Sequence, residues 1–363
     1  MMTRFGWLAG MAAVCVIGAP VGARAAEKIA PKVMVIATYE VGKDTGDVPG
    51  ELQNWAEKEH LDQAIKVPGI AHPVLTNGKG LYAMISGITS RDAVQMMALA
   101  MDERFDLRHT YFLLSGIAGG DPATTTLASA VWIRKVVDGD PVFEIDSRET
   151  PKDWPYGTVA HGVSEPGKVP ANVNAAPVAG ESGTNAGGIG KMVFTVNPSL
   201  VEWAYGLTKD VTIEDTERMA ESRAKFKDYA AADKKPTVMM GDSLGADHFW
   251  HGAIMNQWAR DWVRLYTGGT GVFSISDTED QSILIALEEL GRLGKVDPNR
   301  VLILRTVSNF TVPPTGVSPE KSLFENLSGA PGYVPSLEAN YKVGSVVVRE
   351  LLKNWDVYEK KVP

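Results

Sequence analysis

Polar side chains stand where several apolar runs of the sequence end. The run LILRTVSN ends on Ser308 and Asn309, and an Asn amide offers both a donor and an acceptor to the edge of a heterocycle. Another run ends in the acidic cluster Asp277, Glu279 and Asp280. A carboxylate at such a place can accept hydrogen bonds from two vicinal hydroxyls. The structural alternatives are an Asn that ties down a turn and acids that favour the start of a helix.

A glycine-rich turn follows a third apolar run, in the stretch LLSGIAGGDP. Its glycines are Gly116, Gly119 and Gly120. Glycines let the backbone approach a ligand closely and leave amides free to donate. The alternative is that these residues only make a tight exit from a strand.

Two further motifs concern ions. Gly87, Ser90 and Arg91 lie at a predicted helix start in ISGITSRDA, which is a plausible site for phosphate or another anion. His248 and His251 are three residues apart, but no third ligand lies near them in the sequence. We therefore predict no metal site.

These residues can act together only if the fold brings their strands to one edge. Strand-length apolar runs occur at 32–39, 81–86, 110–116, 128–137, 236–242, 271–276 and 300–309. Helical patterns lie at 91–103, 198–207, 212–229, 249–267, 281–293 and 337–354. Several runs are continuously apolar, which favours strands buried on both faces. The sequence predicts a single α/β domain with a mostly parallel, twisted central sheet flanked by helices, which binds ligands at the carboxyl ends of its strands.

Composition limits the function classes. The chain has 363 residues, is 44% hydrophobic and 22% charged, and carries a net charge of −8. Such an acidic chain is a poor candidate for binding a nucleic-acid backbone. After the first residues, no apolar run approaches the length needed to cross a bilayer, so we expect no membrane insertion.

The first residues have the pattern of a signal peptide. Arg4 precedes the apolar run 5–19, and Ala23, Arg24 and Ala25 fit a small-x-small cleavage site. We therefore predict a cleaved signal peptide over 1–25 and a mature domain over 26–363 that is periplasmic or secreted. Cleavage would remove Cys15, the only cysteine, so the mature domain would have no thiol chemistry.

The segment 151–190 differs from the rest of the chain. It is rich in Gly, Pro, Ala, Asn and Ser and shows no periodicity. We predict a long surface excursion, which would be a lid, a partner-binding insertion or a passive loop.

The order of these motifs resembles that of the purine nucleoside phosphorylase and nucleosidase superfamily. The stretches GDSLGADHFWHG at 241–252, WARDWVRLYTGGTGVFSISDTEDQ at 258–281 and LRTVSNF at 304–310 are similar to its exported branch, the purine nucleoside permease family. The resemblance extends over essentially the whole mature chain. It implies a nucleoside phosphorylase-like fold and a purine nucleoside as the small-molecule ligand.

The resemblance also implies roles for individual residues. Glu279 matches the acid that binds the ribose hydroxyls, with Asp277 close by. Asn309 matches the residue that donates to the imidazole-side nitrogen of the purine, and Ser308 would orient it. The strand exit SGIAGG matches the loop beside the base and the sugar, so the resemblance implies that Ser115, Gly116, Ala118 and Gly119 line the site.

An aromatic side chain should pack on the purine, because base stacking contributes about 1–3 kcal/mol. Phe249 and Trp250 are the two candidates that match the family position. The alternative for Trp250 is a core-facing helix stripe, because Trp250, Ile254, Trp258 and Trp262 recur at intervals of four.

The resemblance leaves the nucleophile open. Hydrolytic relatives keep a glutamate after the first strand to activate water, and Glu40 and Glu51 both compete for that role. Phosphorolytic relatives bind phosphate with a glycine-rich turn and arginines, but Thr89 replaces a glycine found in many of them. Inorganic phosphate is thus a possible co-substrate, and we expect no other cofactor.

Two functions fit these residues. The first is an exported protein that cleaves the N-ribosidic bond of purine nucleosides in support of their uptake. The alternative is a non-catalytic protein that binds purine nucleosides and delivers them to a membrane transporter. Base preference and oligomeric state, including a homo-oligomer, stay open at this point.

Overall fold

The computed structural model describes residues 27–160, 163, 165–168 and 191–363. The predicted signal peptide at 1–25 and residues 169–190 of the predicted excursion therefore lie outside the described residues. Within the part of the chain that the structure describes, no helix is both long and apolar enough to span a membrane.

The described elements alternate along the chain as an α/β fold requires. The strands are β1 Val33–Ala37, β2 Gln63–Ile65, β3 Val74–Thr76, β4 Leu81–Ile85, β5 Tyr111–Gly120, β6 Ala130–Asp138, β7 Val142–Glu144, β8 Thr158–Ala160, β9 Val193–Thr195, β10 Val238–Gly245, β11 Phe273–Asp277 and β12 Val301–Phe310. The helices are α1 Gln53–Lys58, α2 Arg91–Met101, α3 Pro198–Thr208, α4 Glu217–Arg223, α5 Ala253–Tyr266, α6 Asp280–Arg292, α7 Pro319–Leu327, α8 Tyr333–Lys353 and α9 Trp355–Tyr358.

The central sheet is mostly parallel, as the continuously apolar runs predict. Its order is β11-β10-β6-β12-β5-β1-β4-β3-β2, with β9 paired to β6. β1 runs parallel to both β4 and β5, β12 is parallel to β5, and β10 is parallel to both β6 and β11. All five residues of β1 are buried, because helices and loops cover both faces of the sheet.

The sheet closes on itself at one end. β11 pairs antiparallel with β5 through Ile275 opposite Gly120 and Ser276 opposite Gly119. With β12 also paired antiparallel to β6, strands β5, β12, β6, β10 and β11 form a closed ring. The closure brings the carboxyl end of β5 beside that of β11, although some 150 residues separate them in sequence.

The long helix α8 holds the middle of this ring in place. Its Asn340 donates from Nδ2 to the carbonyl oxygens of Gly116, at 2.9 Å, and Leu304, at 3.0 Å. The Asn340 side chain thereby bridges β5 and β12, which are neighbours in the sheet. Buried amide hydrogen bonds of this kind fix both strands relative to the helix.

All seven predicted strands are present, and the predicted fold class is confirmed. The short strands β2, β3, β7, β8 and β9 were not predicted, because three residues are too few for a periodic signal. The predicted helix at 212–229 is reduced to Glu217–Arg223. α5 begins only at Ala253, and Ile254 is 70% exposed, so the predicted core-facing stripe was wrong at that position.

Candidate functional site

A cavity of about 600 Å³ opens at the carboxyl ends of the parallel strands. Its walls come from the loop after β1, the ends of β5 and β12, the loops after β10 and β11, and the turn before α8. The lining residues are Thr38, Tyr39, Val41, Val48, Glu51, Ile88, Ile117, Ala118, Gly119, His248, Phe249, Trp250, Ser276, Asp277, Thr278, Glu279, Ser308, Asn309, Thr311, Asn326, Leu327, Ser328, Gly329, Ala330 and Tyr333. The location agrees with the general rule for ligand sites in parallel sheets.

Glu51 presents a buried carboxylate to this cavity. Its Oε2 accepts from Thr38 N at 2.8 Å, Thr38 Oγ1 at 2.9 Å and Tyr39 N at 3.1 Å. Its Oε1 accepts from Ile117 N at 2.7 Å. Three donors saturate Oε2, whereas Oε1 keeps a lone pair for another donor. A water molecule or a ligand hydroxyl could supply that donor.

Glu40, the other candidate base, has a structural position. Its Oε2 accepts from Leu52 N at 2.9 Å and Gln53 N at 3.0 Å, so it caps the start of α1. The absence of a side chain at Gly50 permits this contact, because a Cβ there would lie 2.3 Å from Glu40 Oε1. Glu40 does not line the cavity, and only Glu51 of the two does.

Glu279 lies at the start of α6 and lines the same cavity. Its Oε2 accepts from Arg305 Nη2 at 3.0 Å, and the Thr278 hydroxyl donates to its Oε1. Arg305 is fully buried and also contacts Asp280 Oδ1, from Nη2 at 2.7 Å and from Nε at 3.1 Å. Arg305 is therefore paired with two carboxylates of the protein.

The acids around Arg305 outnumber the cation. Burial raises the pKa of Glu279 to about 7, against the lowering effect of Arg305. Burial also raises the pKa of Asp280 well above its ordinary range, and the pKa of Asp92 on α2 to about 9. A carboxylic acid that loses water and shares one cation binds its proton more tightly.

Asp277 connects the end of β11 to the start of α6. Its Oδ1 accepts from Asp280 N at 2.8 Å and Glu279 N at 3.2 Å, and the Ser243 hydroxyl donates to its Oδ2. The side chain thus satisfies the first amides of the helix, as an acid at that position should. Asp277 lines the cavity, but most of its acceptor capacity is already used by the protein.

Two of the predicted glycine-turn residues lie behind the cavity wall. Ser115 is buried between Trp55, whose Nε1 donates to Ser115 Oγ at 2.9 Å, and Asn340. At Gly116, a Cβ would lie 2.4 Å from Arg305 Nη1 and 2.5 Å from Glu51 Oε1. Neither Ser115 nor Gly116 lines the cavity; Gly116 leaves the space in which Arg305 and Glu51 approach each other.

The other two residues, Ala118 and Gly119, line the cavity beside Ser308 and Asn309. The Ser308 hydroxyl lies 2.9 Å from Asn309 Oδ1 and 3.1 Å from the carbonyl oxygen of Ala118. Asn309 Nδ2 donates to the Phe310 carbonyl at 3.3 Å. Since Nδ2 carries two protons, one remains for a ligand.

Both aromatic candidates line the cavity, in different environments. Phe249 is 54% exposed and stands at the rim, whereas Trp250 is buried. The Trp250 ring packs edge-on against Trp258, with centroids 6.1 Å apart. Phe249 is therefore the side chain that is free to cover a flat ligand, and Trp250 belongs to the core beneath it.

The predicted anion site does not join the cavity. Gly87, Ser90 and Arg91 are absent from its walls, although Ile88 lines it. Thr89 has a φ of 61°, in the left-handed region where the glycine of many relatives would be unstrained. Among the described residues that line the cavity, none is a lysine or arginine.

The histidines are not arranged around a metal. His248 lines the cavity near Asp140, whose carboxylate raises the pKa of His248, and His251 Nε2 contacts Ser322 Oγ at 3.0 Å. The described ranges contain no group of three His, Cys, Asp or Glu side chains that could hold a metal ion.

Sequence reasoning missed several cavity residues. Tyr333 at the start of α8 donates to the Pro49 carbonyl at 3.0 Å and lines the cavity, as do Leu327 and the turn after it. Tyr39, Ile88 and Leu327 are exposed apolar side chains at the mouth. Their signal in the sequence is weak, since isolated exposed apolar residues are common.

The model of the family described as purine nucleoside permease (NUP) matches residues 30–363. The chain therefore belongs to the purine nucleoside permease family. A family relative from Candida albicans, named purine nucleoside permease, is 28% identical over 350 residues, which are 91% of this chain and 77% of the relative.

Solved structures share the fold of this permease family member at low sequence identity. A mutant of the Helicobacter pylori nucleosidase MTAN, with 5′-methylthioadenosine in its active site, has a TM-score of 0.50 and 14% identity, covering 88% of this chain and 99% of the other. A native futalosine hydrolase from Helicobacter pylori has a TM-score of 0.47 and 12% identity, covering 88% and 98%. The likeness to the MTAN structure confirms the nucleoside phosphorylase-like fold.

Proposed function

We propose that this protein binds purine nucleosides and hydrolyses their N-ribosidic bond. The observation that carries the proposal is the position of Glu51, whose buried carboxylate shares one cavity with Glu279 and Asn309. These three groups match a base for water, an acceptor for sugar hydroxyls and a donor for a leaving purine. The membership in the purine nucleoside permease family supports the same ligand class.

In this proposal the sugar lies between the two glutamates. Glu279 accepts hydrogen bonds from the vicinal ribose hydroxyls, since its carboxylate is fixed by Arg305 at 3.0 Å. Glu51 Oε1 accepts a proton from the attacking water, because that oxygen has a free lone pair. The water oxygen bonds to C1′ as the bond from C1′ to the purine nitrogen breaks, and the electron pair of that bond goes to the purine.

The base lies at the other end of the cavity, beneath Phe249. The second N–H of Asn309 Nδ2 donates a hydrogen bond to the imidazole-side nitrogen of the purine. This hydrogen bond strengthens as negative charge develops on the departing base, so it stabilises the transition state more than the ground state. Ser308 holds the Asn309 oxygen and so keeps the donor directed into the cavity.

Hydrolysis is favoured over phosphorolysis by the charge of the cavity. The described lining residues include Glu51, Asp277 and Glu279 and no lysine or arginine. A phosphate dianion placed near C1′ would meet these carboxylates, and no lysine or arginine of the described cavity wall would be available to bind it. Arg91, the predicted phosphate ligand, lies outside the cavity wall.

A second candidate function is binding without turnover. The family name and the Candida albicans relative favour a role in nucleoside transport, in which the protein would deliver nucleosides to a membrane transporter. We also propose that the protein is exported, periplasmic or secreted, on the basis of the signal pattern at 1–25. The same cavity would serve in both functions.

The test is an assay for free base. The purified protein is incubated with inosine or adenosine, with and without phosphate, and the products are separated as base, ribose and ribose 1-phosphate. We expect base and ribose, independent of phosphate. Turnover that requires phosphate would contradict hydrolysis, and tight binding without any product would favour the transport role.

A matched pair of variants tests the base. Glu51→Gln should lower turnover by about 10²–10⁴-fold, the range for removal of a general base. Glu57→Gln makes the same change on an exposed residue of the neighbouring helix α1 and should leave turnover unchanged. Equal rates in the two variants would exclude Glu51 as the base.

A further inference from the structure

The cavity of about 600 Å³ is called the nucleoside cavity from here on, because the proposed function places the nucleoside in it. A second cavity of about 620 Å³ lies beside it, and the proposed mechanism does not use this second cavity. We call it the annex, defined by its lining residues Leu127, Arg218, Ser222, Lys225, Phe226, Asn309, Phe310, Pro314, Lys321, Ser322, Phe324, Glu325, Asn326, Ser328, Gly329 and Pro331. Four of these residues, Asn309, Asn326, Ser328 and Gly329, line both cavities. The annex and the nucleoside cavity therefore share a wall that includes Asn309.

The annex carries the charge that the nucleoside cavity lacks. Arg218, Lys225 and Lys321 line it together with a single acid, Glu325. The ion pair of Lys321 with Glu325 is long, at 3.9 Å, and exposed. Arg218 uses one donor on the Gly329 carbonyl at 3.2 Å, and in the described part of the chain Lys225 has no ion-pair partner. The annex therefore has an excess of positive charge in a chain whose net charge is −8.

The inner wall of the annex is aromatic. Phe226 and Phe310 pack with ring centroids 4.4 Å apart, and Phe324 adds a largely exposed ring. Apolar walls with a few cations suit an organic anion, because the rings accommodate its carbon chain while the cations bind its charged end. Arg218 adds a planar guanidinium, which matches the geometry of a carboxylate.

The two cavities thus have opposite charges on either side of Asn309. Glu51, Asp277 and Glu279 surround the sugar end, and the cations of the annex lie beyond the base end. In a purine, the six-membered-ring carbon that carries the 6-substituent is next to the carbon that bears the imidazole-side nitrogen. A 6-substituent on a base held by Asn309 would therefore extend past Asn309.

We propose that the annex binds an anionic group carried on the 6-substituent of a purine nucleoside, and so selects nucleosides that bear a carboxylate on the base. This inference rests on the proposed function, because it takes the sugar to be at Glu279 and the base at Asn309. It adds a substrate class that neither the cavity at Glu51 nor the family membership specifies.

The experiment compares two adenosine derivatives that differ only in charge. Each carries a short chain on the 6-amino nitrogen, which ends in a carboxylate in one and in the uncharged carboxamide in the other. Dissociation constants are measured by calorimetry for both derivatives and for adenosine. The protein carries Glu51→Gln, so that turnover does not disturb the titration. We expect the carboxylate to bind about tenfold more tightly than the carboxamide, on the scale of charge-assisted hydrogen bonds near the surface.

Paired variants identify the source of that preference. Arg218→Gln combined with Lys225→Gln should reduce the preference to about onefold, while the affinity for adenosine stays the same. Lys227→Gln removes a charge two residues from Lys225, at an exposed position outside the annex, and should keep the preference. All three positions are exposed, so these changes should not affect folding.

The outcomes separate the two proposals. Adenosine binding without any advantage of the carboxylate would overturn the annex proposal and leave the proposed function intact. A preference that survives in the double variant would also overturn the annex proposal. Failure of adenosine and of both derivatives to bind would overturn the proposed function itself.

Discussion

Arg305 Nη2 donates to Glu279 Oε2 across 3.0 Å, and neither side chain is more than 7% exposed. The same guanidinium binds Asp280 and lies beside Glu51 in the space that Gly116 leaves open. A single buried cation therefore fixes the proposed sugar acceptor and stands next to the proposed base. Protonation of Glu279 should therefore weaken nucleoside binding, and removal of the Arg305 cation should destabilise the fold.

Nucleoside affinity should decrease as the pH falls from 8 to 6. Glu279 has a pKa near 7 and must be ionised to accept hydrogen bonds from two hydroxyls. Below that pH the protonated form dominates, so affinity should fall by about tenfold over this interval. Calorimetry with inosine at several pH values measures the change.

Two variants identify the titrating group. Glu279→Gln should bind more weakly and lose the pH dependence, because its amide does not titrate. His248 also lines the cavity, and its hydrogen bond with Asp140 raises its pKa, so it is the other titratable group to test. His248→Gln should keep the pH dependence, and its loss there would assign the effect to the histidine instead.

Arg305→Met should destabilise the fold. It leaves Glu279 and Asp280 buried without their cation, and breaking a buried pair in this way costs about 3–5 kcal/mol. The decrease in the free energy of unfolding should be larger at pH 8 than at pH 5. The pKa values of the two acids in the folded protein would rise further, and stability is lost as the pH rises through them. Urea unfolding at both pH values measures the free energy.

Arg108→Met is the matched control for that variant. Arg108 forms an ion pair with Asp106 on the surface, where 64% of its side chain is exposed. Such exposed pairs contribute about 0–1 kcal/mol. A similar decrease in the free energy of unfolding for the two variants would show that the buried contacts of Arg305 stabilise the fold no more than an exposed ion pair does.

Asn309→Ala should separate catalysis from binding. Turnover should fall roughly a hundredfold or more, as when one donor to a developing charge is removed. Substrate affinity should fall by only about 1 kcal/mol, as for a neutral hydrogen bond. Steady-state kinetics and calorimetry measure the two effects. A folded variant with unchanged rate and affinity would mean that Asn309 only stabilises the turn that follows it.

The mature protein should begin near Ala26. The pattern of Arg4, the apolar run 5–19 and the small residues at 23 and 25 predicts cleavage there. Amino-terminal sequencing of protein recovered from the cell envelope checks this. An intact Met1 on protein from the cytoplasm would contradict both the cleavage and the proposed export.

The sequence was sufficient to predict the seven long strands and the mostly parallel sheet that they form. Continuous apolar runs such as 301–304 favour strands that are covered on both faces of the sheet. The closed ring was not predictable in the same way. It depends on Gly119 and Ser276 meeting across the fold, and the local pattern of either strand contains no information about that partner.

The site was predictable where a residue type is tied to a strand end. Glu279 follows β11, Asn309 is the second-last residue of β12, and both line one cavity. The family resemblance predicts Ser115 in the binding loop, but its hydroxyl accepts from Trp55 and donates to Asn340, which lie on distant elements. Glu40 and Glu51 could not be separated from sequence, because the conformation of the loop between them determines which carboxylate reaches the cavity.

The pairing of Gly119 with Ser276 joins β5 to β11, and these two strands carry opposite walls of the nucleoside cavity. Ala118 and Gly119 on one side and Asp277 and Glu279 on the other adjoin only while these two strands are joined. A bound nucleoside should therefore slow the hydrogen exchange of amides in both strands together, since ligand and closure are linked by mass action. Substitutions elsewhere in the ring that favour its opening would appear as weaker binding of every nucleoside alike, with the order of preference among nucleosides unchanged.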